Sequence, residues 1–342
     1  MNSNLAALLA VAFPESDVTG LVRLMNLPSV LADATPATPG MVSRAELAQA
    51  MNMALFVGLL KRVPTGRAYT DDLQHTQTRV QFDHGALRTV RWAESGALPP
   101  GEAAFTRILK PLGFVLNGTY PLDRIKMTGR SYMHADAPDE IAQYFVSELH
   151  PERFSPEFQQ AVTNVIGESV DPLTPQAVAS LAELERDRSL PLAIALDLLP
   201  VLVRCFERQH PEPRLTDYET LRAESAEMAW IATEGNAFNH ATDRVDDVFA
   251  VADAQRALGR PIKDSVEISK TGRVRQTAFR ADPVRRVFIG VDGARIERDV
   301  PGSFYEFISR DVFMDDATGR SKLDLGFDAG NATGIFKMTA AA

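Results

Sequence analysis

One short pattern occurs twice in the chain and restricts what it can fold into. Phe82-Asp83-His84-Gly85-Ala86-Leu87-Arg88-Thr89-Val90 is echoed by Phe238-Asn239-His240-Ala241-Thr242-Asp243-Arg244-Val245. Both copies read Phe, an Asp or Asn, His, three residues and Arg, with Val close behind. Residues four apart on an extended strand point to the same face. Each copy therefore aims its His and its Arg the same way. Two such strands, related by internal duplication, place two imidazoles in one cavity with a guanidinium beside each. The alternative is chance similarity between two polar strand segments.

A chain of 342 residues accommodates two domains or one large two-module domain. Its 45% hydrophobic and 24% charged content is that of an ordinary soluble globular protein. A net charge of −9 argues against general affinity for nucleic acid or anionic membranes, while leaving a small anionic substrate to local arginines. Cys205 is the single cysteine, so it forms no intramolecular disulfide and has no metal-binding spacing. It reads as a packed thiol on an apolar helix face, in a reducing compartment. The apolar run Leu5 to Phe13 is too short to span a bilayer and no Lys or Arg precedes it, which makes the cytoplasm the expected location.

The periodicity divides the chain into a helical region (1–78), a first strand-rich module (79–150), a helical insertion (151–230) and a second strand-rich module (231–342). Residues 1–27 read as helical. Ser43-Arg44-Ala45-Glu46 is a capping box opening a helix to about Lys61, and Pro64-Thr65-Gly66 reads as its stop. The first module then reads as strand Val80–Trp92, helix Gly101–Leu112, strands Phe114–Tyr120 and Ile125–Met133, and helical spacing from Asp139 to Leu149. Helical segments Gln176–Arg186, Pro191–Arg208 and Asp217–Trp230 follow. After the second His copy come a helix Asp246–Leu258, short strands flanking Lys270-Thr271-Gly272, a strand Val284–Val291 and a strand Phe304–Arg310.

Two histidines need a third ligand to hold a metal. Glu306 is a lone acid in the middle of Phe304-Tyr305-Glu306-Phe307-Ile308-Ser309-Arg310, and a buried carboxylate requires a partner. Arg310, facing the same way, is one solution and a metal is the other. Two imidazoles and a carboxylate leave open positions for a chelating substrate and O2, the arrangement of non-haem Fe(II). Of the other histidines, His134 is a substitute ligand candidate, His150 reads as a surface residue, and His75 and His210 carry no pattern. Arg88 lies about 13 Å along the strand from His84, within reach of the far end of a short dicarboxylate. An ordinary surface ion pair is the plain alternative for Arg88, and for Arg244 beside Asp243 and Asp246.

The ordered set of His84-Gly85 with Arg88, Phe145-Val146-Ser147-Glu148-Leu149, Trp230 followed by Asn239-His240, Pro301-Gly302 with Glu306-Phe307 and Arg310, and Gly334-Ile335-Phe336 resembles one family. It is the 2-oxoadipate dioxygenase/decarboxylase (hydroxyglutarate synthase) family, related to the vicinal oxygen chelate, or glyoxalase, superfamily. The resemblance runs from about residue 43 to 338. It implies an α+β fold: a central mixed sheet or half-barrel of two βαβββ-type modules with added helices. It also implies that His84, His240 and Glu306 hold Fe(II) and that Arg88 holds a substrate carboxylate. Longer family members carry extra sequence in the C-terminal half and a substrate-contacting Val-Ser pair where this chain has Gly330-Asn331. By this resemblance, Gly330 and Asn331 are expected substrate contacts, on a segment from Phe327 to Phe336 that folds over the cavity mouth.

The leading functional expectation is an Fe(II)-dependent decarboxylating dioxygenase whose partners are O2 and a 2-oxo acid such as 2-oxoadipate, with no separate electron-donating cosubstrate. A glyoxalase-like lyase or isomerase using Zn or Ni as a Lewis acid is the second. A non-catalytic binding protein on the same scaffold is the third. Arg310 and Arg244 are carried as additional site candidates.

Overall fold

The computed structural model describes residues 3–31, 39–316 and 319–328, apart from the side chains of residues 15 and 16. Gly330, Asn331 and Gly334-Ile335-Phe336 lie outside the described residues. The core is an eight-stranded mixed sheet curled into a half-barrel. Its strands are β1 (Phe82–Val90), β2 (Phe114–Leu122), β3 (Met127–His134), β4 (Gln143–Leu149), β5 (Phe238–Arg244), β6 (Glu267–Ile268), β7 (Val274–Ala278) and β8 (Phe304–Arg310). Their spatial order is β2-β3-β4-β1-β5-β8-β7-β6.

That order makes the duplication visible. The two His-bearing strands, β1 and β5, pair antiparallel at the centre. Each is flanked on its outer side by a parallel partner, β4 beside β1 and β8 beside β5. Each partner then pairs antiparallel with the next strand out, β3 or β7. Each half also inserts a helix after its first strand, Ala103–Leu109 in one and Val248–Ala257 in the other.

The outer face of the sheet is an aromatic layer. Phe82, Tyr144, Phe238, Tyr305 and Phe307 are all buried there. The helix Arg44–Leu60 covers it: Phe56 meets Phe82 at 5.1 Å and Asn52 accepts a 2.5 Å hydrogen bond from Tyr144. Both halves of the expected Ser43–Glu46 capping box are present at its start. Fourteen of its residues are buried, so it is an interior helix with no amphipathic stripe to read. Among the described residues, no helix is long and apolar enough to cross a membrane.

Several expectations are corrected. Asp139–Leu149 is not helical; it contains β4, whose residues are all buried. A strand covered on both faces beside a parallel neighbour has no polar alternation, so its apolar run imitates a buried helix. The helix Arg44–Leu60 does end ahead of Pro64, but Pro64 also begins a helix not expected from the sequence, Pro64–His75, where its fixed φ and missing N–H suit the first turn. Gly66 lets that helix approach β8, since a Cβ there would lie 2.9 Å from the Tyr305 ring. An additional strand, Arg295–Pro301, pairs with Pro283–Ile289 in a hairpin. His150 is buried, not a surface residue. Cys205 is buried as expected, and burial pushes its thiol up to about 12.

Candidate metal centre

Both histidines sit at β-bulges. Pairing between β1 and β5 shifts register between Phe82 and His84, and again where Ala86 faces His240 and Leu87 faces Phe238. Asp83 and Asn239 are the extra residues. A bulge re-aims side chains, and here each one turns Phe into the outer aromatic layer and His into the inner cavity, with the Asx beside the imidazole: Asn239 lines the cavity and Asp83 stands behind His84. Gly85 permits this, because a Cβ there would lie 2.3 Å from the Phe238 ring. The consequence is chemical. Nδ1 of His84 lies 2.8 Å from Asp83 Oδ1, and Nδ1 of His240 lies 3.2 Å from Asn239 Oδ1. A proton on Nδ1 of each ring would leave both Nε2 atoms available to a metal.

Glu306 arrives from β8, in register with Thr242 of β5. Its Oε2 lies 3.3 Å from His84 Nε2 and 3.5 Å from His240 Nε2. One ligand atom from each of the three residues falls within 4.8 Å of the others. Thr242 donates a 2.6 Å hydrogen bond to Glu306 Oε2 and lies 3.1 Å from His84 Nε2. Glu306 Oε1 is buried with no hydrogen-bond partner among the described residues.

The electrostatics suit a cation. Burial pulls the Glu306 carboxyl upward, but His240, His84 and Thr242 together hold it below its usual range. Burial pushes His240 down to about 3 against the attraction of Glu306, with His84 and Arg88 pushing the same way as burial. For His84 burial lowers the pKa, and hydrogen bonds to Asp83 and Glu306 more than compensate. A buried carboxylate facing two imidazoles, one oxygen unsatisfied, is the donor set of a borderline divalent metal such as Fe(II) or Zn(II).

Behind His84 stands a second charged layer. Arg310 donates from Nε to Asp83 Oδ2 and from Nη2 to Asp83 Oδ1, each at 2.9 Å, with both side chains fully buried. Burial opposes the Asp83 charge, yet Arg310 and His84 hold this carboxyl far below the usual range. The sequence had suggested Arg310 as the partner of Glu306; the bulge brings Asp83 to it instead. Nη1 of Arg310 donates to the carbonyls of Asp324 and Gly326, both at 2.8 Å. Arg244 lies outside the cavity, donating to the Asp139 carbonyl at 2.5 Å and standing 3.9 Å from Asp83. His134 is also remote, with Nε2 2.9 Å from the Leu112 carbonyl.

The cavity itself is a recess partly open to solvent. His84 and His240 line it together with Arg88, Ser147, Asn239, Gln276 and the apolar Ala86, Leu87, Phe145 and Phe327. Arg88 is 1% exposed, and its guanidinium lies 5.1 Å from the Trp230 ring centroid. Burial lowers its pKa to about 10 against the pull of Glu227, so it stays cationic at neutral pH. Phe327 meets His84 edge-on at 4.8 Å and packs on Phe145 at 4.9 Å, and Asp328 follows it at the cavity wall. Asp83, Thr242 and Gln276 are the site residues that the sequence does not single out, whereas Phe327 opens the segment expected over the cavity mouth and does line the cavity. The Phe-Asx-His repeat contained the signal for Asp83, and Gln276 has none.

A curled sheet of two duplicated modules, with a His-His-Glu cluster on its inner face, defines a glyoxalase-superfamily protein. Over residues 59–332 the sequence matches the 2-oxoadipate dioxygenase/decarboxylase family. The chain belongs to that family and is an enzyme of it. A glyoxalase superfamily protein from Ralstonia eutropha JMP134 is 62% identical, with a TM-score of 0.90 over 96% of this chain and 100% of that one. The fold is shared with hydroxyglutarate synthase from Oryza sativa, solved in complex with 2-oxoadipate, at 18% identity and a TM-score of 0.64 over 90% and 98% of the two chains. It is shared also with the Pseudomonas putida hydroxyglutarate synthase in complex with 2-oxoadipate, at 19% identity and a TM-score of 0.61 over 88% and 74%. No curated protein matches the chain.

Proposed function

We propose that this enzyme is an Fe(II)-dependent decarboxylating dioxygenase. Its substrate is a 2-oxo dicarboxylic acid such as 2-oxoadipate, and its products are CO2 and the 2-hydroxy acid one carbon shorter, here 2-hydroxyglutarate. The observation that carries this reading is the buried His84-His240-Glu306 cluster, whose two histidines line one cavity with the buried cation of Arg88. Fe(II) held by those three residues would supply the Lewis acidity that chelates a 2-oxo acid and the redox capacity that activates O2.

The chain's own groups do the rest. Asp83 and Asn239 fix the imidazole tautomers, so neither ring must reorganise to bind metal. Thr242 orients the Glu306 carboxylate. Arg88 receives the distal carboxylate in a charge-assisted pair, setting substrate length and direction. Phe145 and Phe327 exclude water from the reacting end. The stoichiometry balances without a cosubstrate: 2-oxoadipate and O2 give 2-hydroxyglutarate and CO2, the substrate supplying all four electrons. Gly330 and Asn331 remain substrate-contact candidates on the segment that continues from Asp328.

An oxygen-electrode screen of C4 to C7 2-oxo acids, with Fe(II) or Zn(II) added anaerobically, tests the proposal. Uptake of O2 with Fe(II), equimolar to CO2 released and strongest for a dicarboxylate, is expected. Turnover with Zn(II) and no O2 uptake would mean a lyase or isomerase instead.

A further inference from the structure

The two halves of the duplicated site differ where it matters for an anionic ligand. Asp83 precedes His84, and Asn239 precedes His240. The Asp83 carboxylate is fully engaged, accepting from His84 Nδ1 and from Arg310. Asn239 is 2% exposed and uses its Oδ1 on His240, while its Nδ2 has no hydrogen-bond partner among the described residues. The amide orientation follows from the metal site. A His240 that coordinates through Nε2 carries its proton on Nδ1 and needs an acceptor there, so Asn239 must offer oxygen to it. The NH2 group is left on the cavity side, in the wall that also contains Arg88. A buried donor without an acceptor is destabilising, and such groups in native proteins usually have a role.

We infer that Asn239 is a substrate-binding residue whose Nδ2 donates to a carboxylate oxygen of the bound 2-oxo acid. The inference rests on the function proposed above. It gives the Asp-to-Asn difference a physical meaning. An acid at 239 would hold His240 equally well but would turn an unshielded negative charge toward the substrate. The acid at 83 is harmless because Arg310 neutralises it and Phe327 closes that side of the cavity. The duplicated fold thus has one closed half and one substrate-receiving half.

Asn239→Asp separates binding substrate from orienting the ligand, because it keeps the acceptor for His240 Nδ1 and replaces the donor by an anion. Asn239→Ala removes the donor without adding charge. The readouts are iron stoichiometry and the dissociation constant of 2-oxoadipate, titrated anaerobically against the Fe(II) protein. Asn239→Asp is expected to retain iron near the wild-type level and to bind 2-oxoadipate at least tenfold more weakly. Asn239→Ala should weaken 2-oxoadipate at least fivefold. Wild-type affinity within twofold in both variants overturns the inference alone. Loss of iron in both, in parallel with affinity, also overturns it, since the residue then acts only through His240. A wild-type protein that binds no 2-oxo acid overturns the proposed function together with the inference.

Discussion

Arg310 offers the sharpest test of how the site is held. Its guanidinium makes a two-point contact with Asp83, both partners fully buried, and two further hydrogen bonds to the Asp324 and Gly326 carbonyls. Arg310→Met keeps much of the apolar stem but leaves the Asp83 carboxylate buried with His84 at 2.8 Å and Arg244 at 3.9 Å as its remaining partners. Removing one member of a buried ion pair costs about 3–5 kcal/mol, because the surviving charge stays desolvated. Asp83→Asn added to Arg310→Met removes that charge while keeping an acceptor for His84 Nδ1, so the double variant should recover most of the loss. Urea denaturation at neutral pH, read by circular dichroism, measures both. The sign with pH is also fixed. The folded Asp83 pKa lies below its ordinary 3.8, so the pair's contribution is present above that value and is lost as pH falls through the folded pKa. A loss under about 1 kcal/mol for Arg310→Met, or a double variant as unstable as the sum of the two singles, would refute the reasoning.

Arg88→Ala should leave iron content unchanged and lower kcat/KM for a 2-oxo dicarboxylate by about 10- to 150-fold, the equivalent of about 1.5–3 kcal/mol for a hydrogen bond to a charged group; monocarboxylate 2-oxo acids should be affected much less. Truncation after Gly326 removes Phe327 from the face of His84, and is expected to abolish coupled turnover while iron content stays near that of the intact chain. Asp243 is buried on the far side of β5, and burial raises its carboxyl to about 8 despite hydrogen bonds from the Gln81 N–H and the Tyr69 hydroxyl. Between its ordinary 3.8 and about 8 the folded state binds more protons than the unfolded one, so stability falls as pH rises through that window. Asp243→Asn should gain stability relative to wild type progressively up to about pH 8 and level off above it, as measured by denaturation across pH.

Much of the site was legible because duplication repeats chemistry as well as fold. The paired Phe-Asx-His segments identified both histidines, and Glu306 stood out as one acid in an apolar strand. The bulges were not legible, since nothing in the spacing distinguishes regular alternation from one extra residue. That is why spacing offers Arg310 to Glu306 as one of two solutions and gives no sign of its pairing with Asp83. Periodicity failed where burial removes it: β4 is enclosed on both faces and the helix Arg44–Leu60 on nearly all sides, although the capping box still marked where that helix begins. Arg244 shares its copy's spacing with Arg88 but not its role. Where β1 presents Arg88 to the cavity, the end of β5 turns Arg244 toward the Asp139 carbonyl. Phe327 follows an aperiodic stretch and is placed by contacts with Arg310, Tyr120 and Phe145 that are distant in sequence.

The central claim is that three residues from three strands hold one iron on the inner face of the sheet. Anomalous diffraction at the iron edge, from crystals loaded anaerobically with Fe(II), tests it most directly. One peak is expected at about 2.0–2.2 Å from Nε2 of His84, Nε2 of His240 and a carboxylate oxygen of Glu306. Iron bound elsewhere, or the three side chains still in mutual contact with no peak between them, would contradict it.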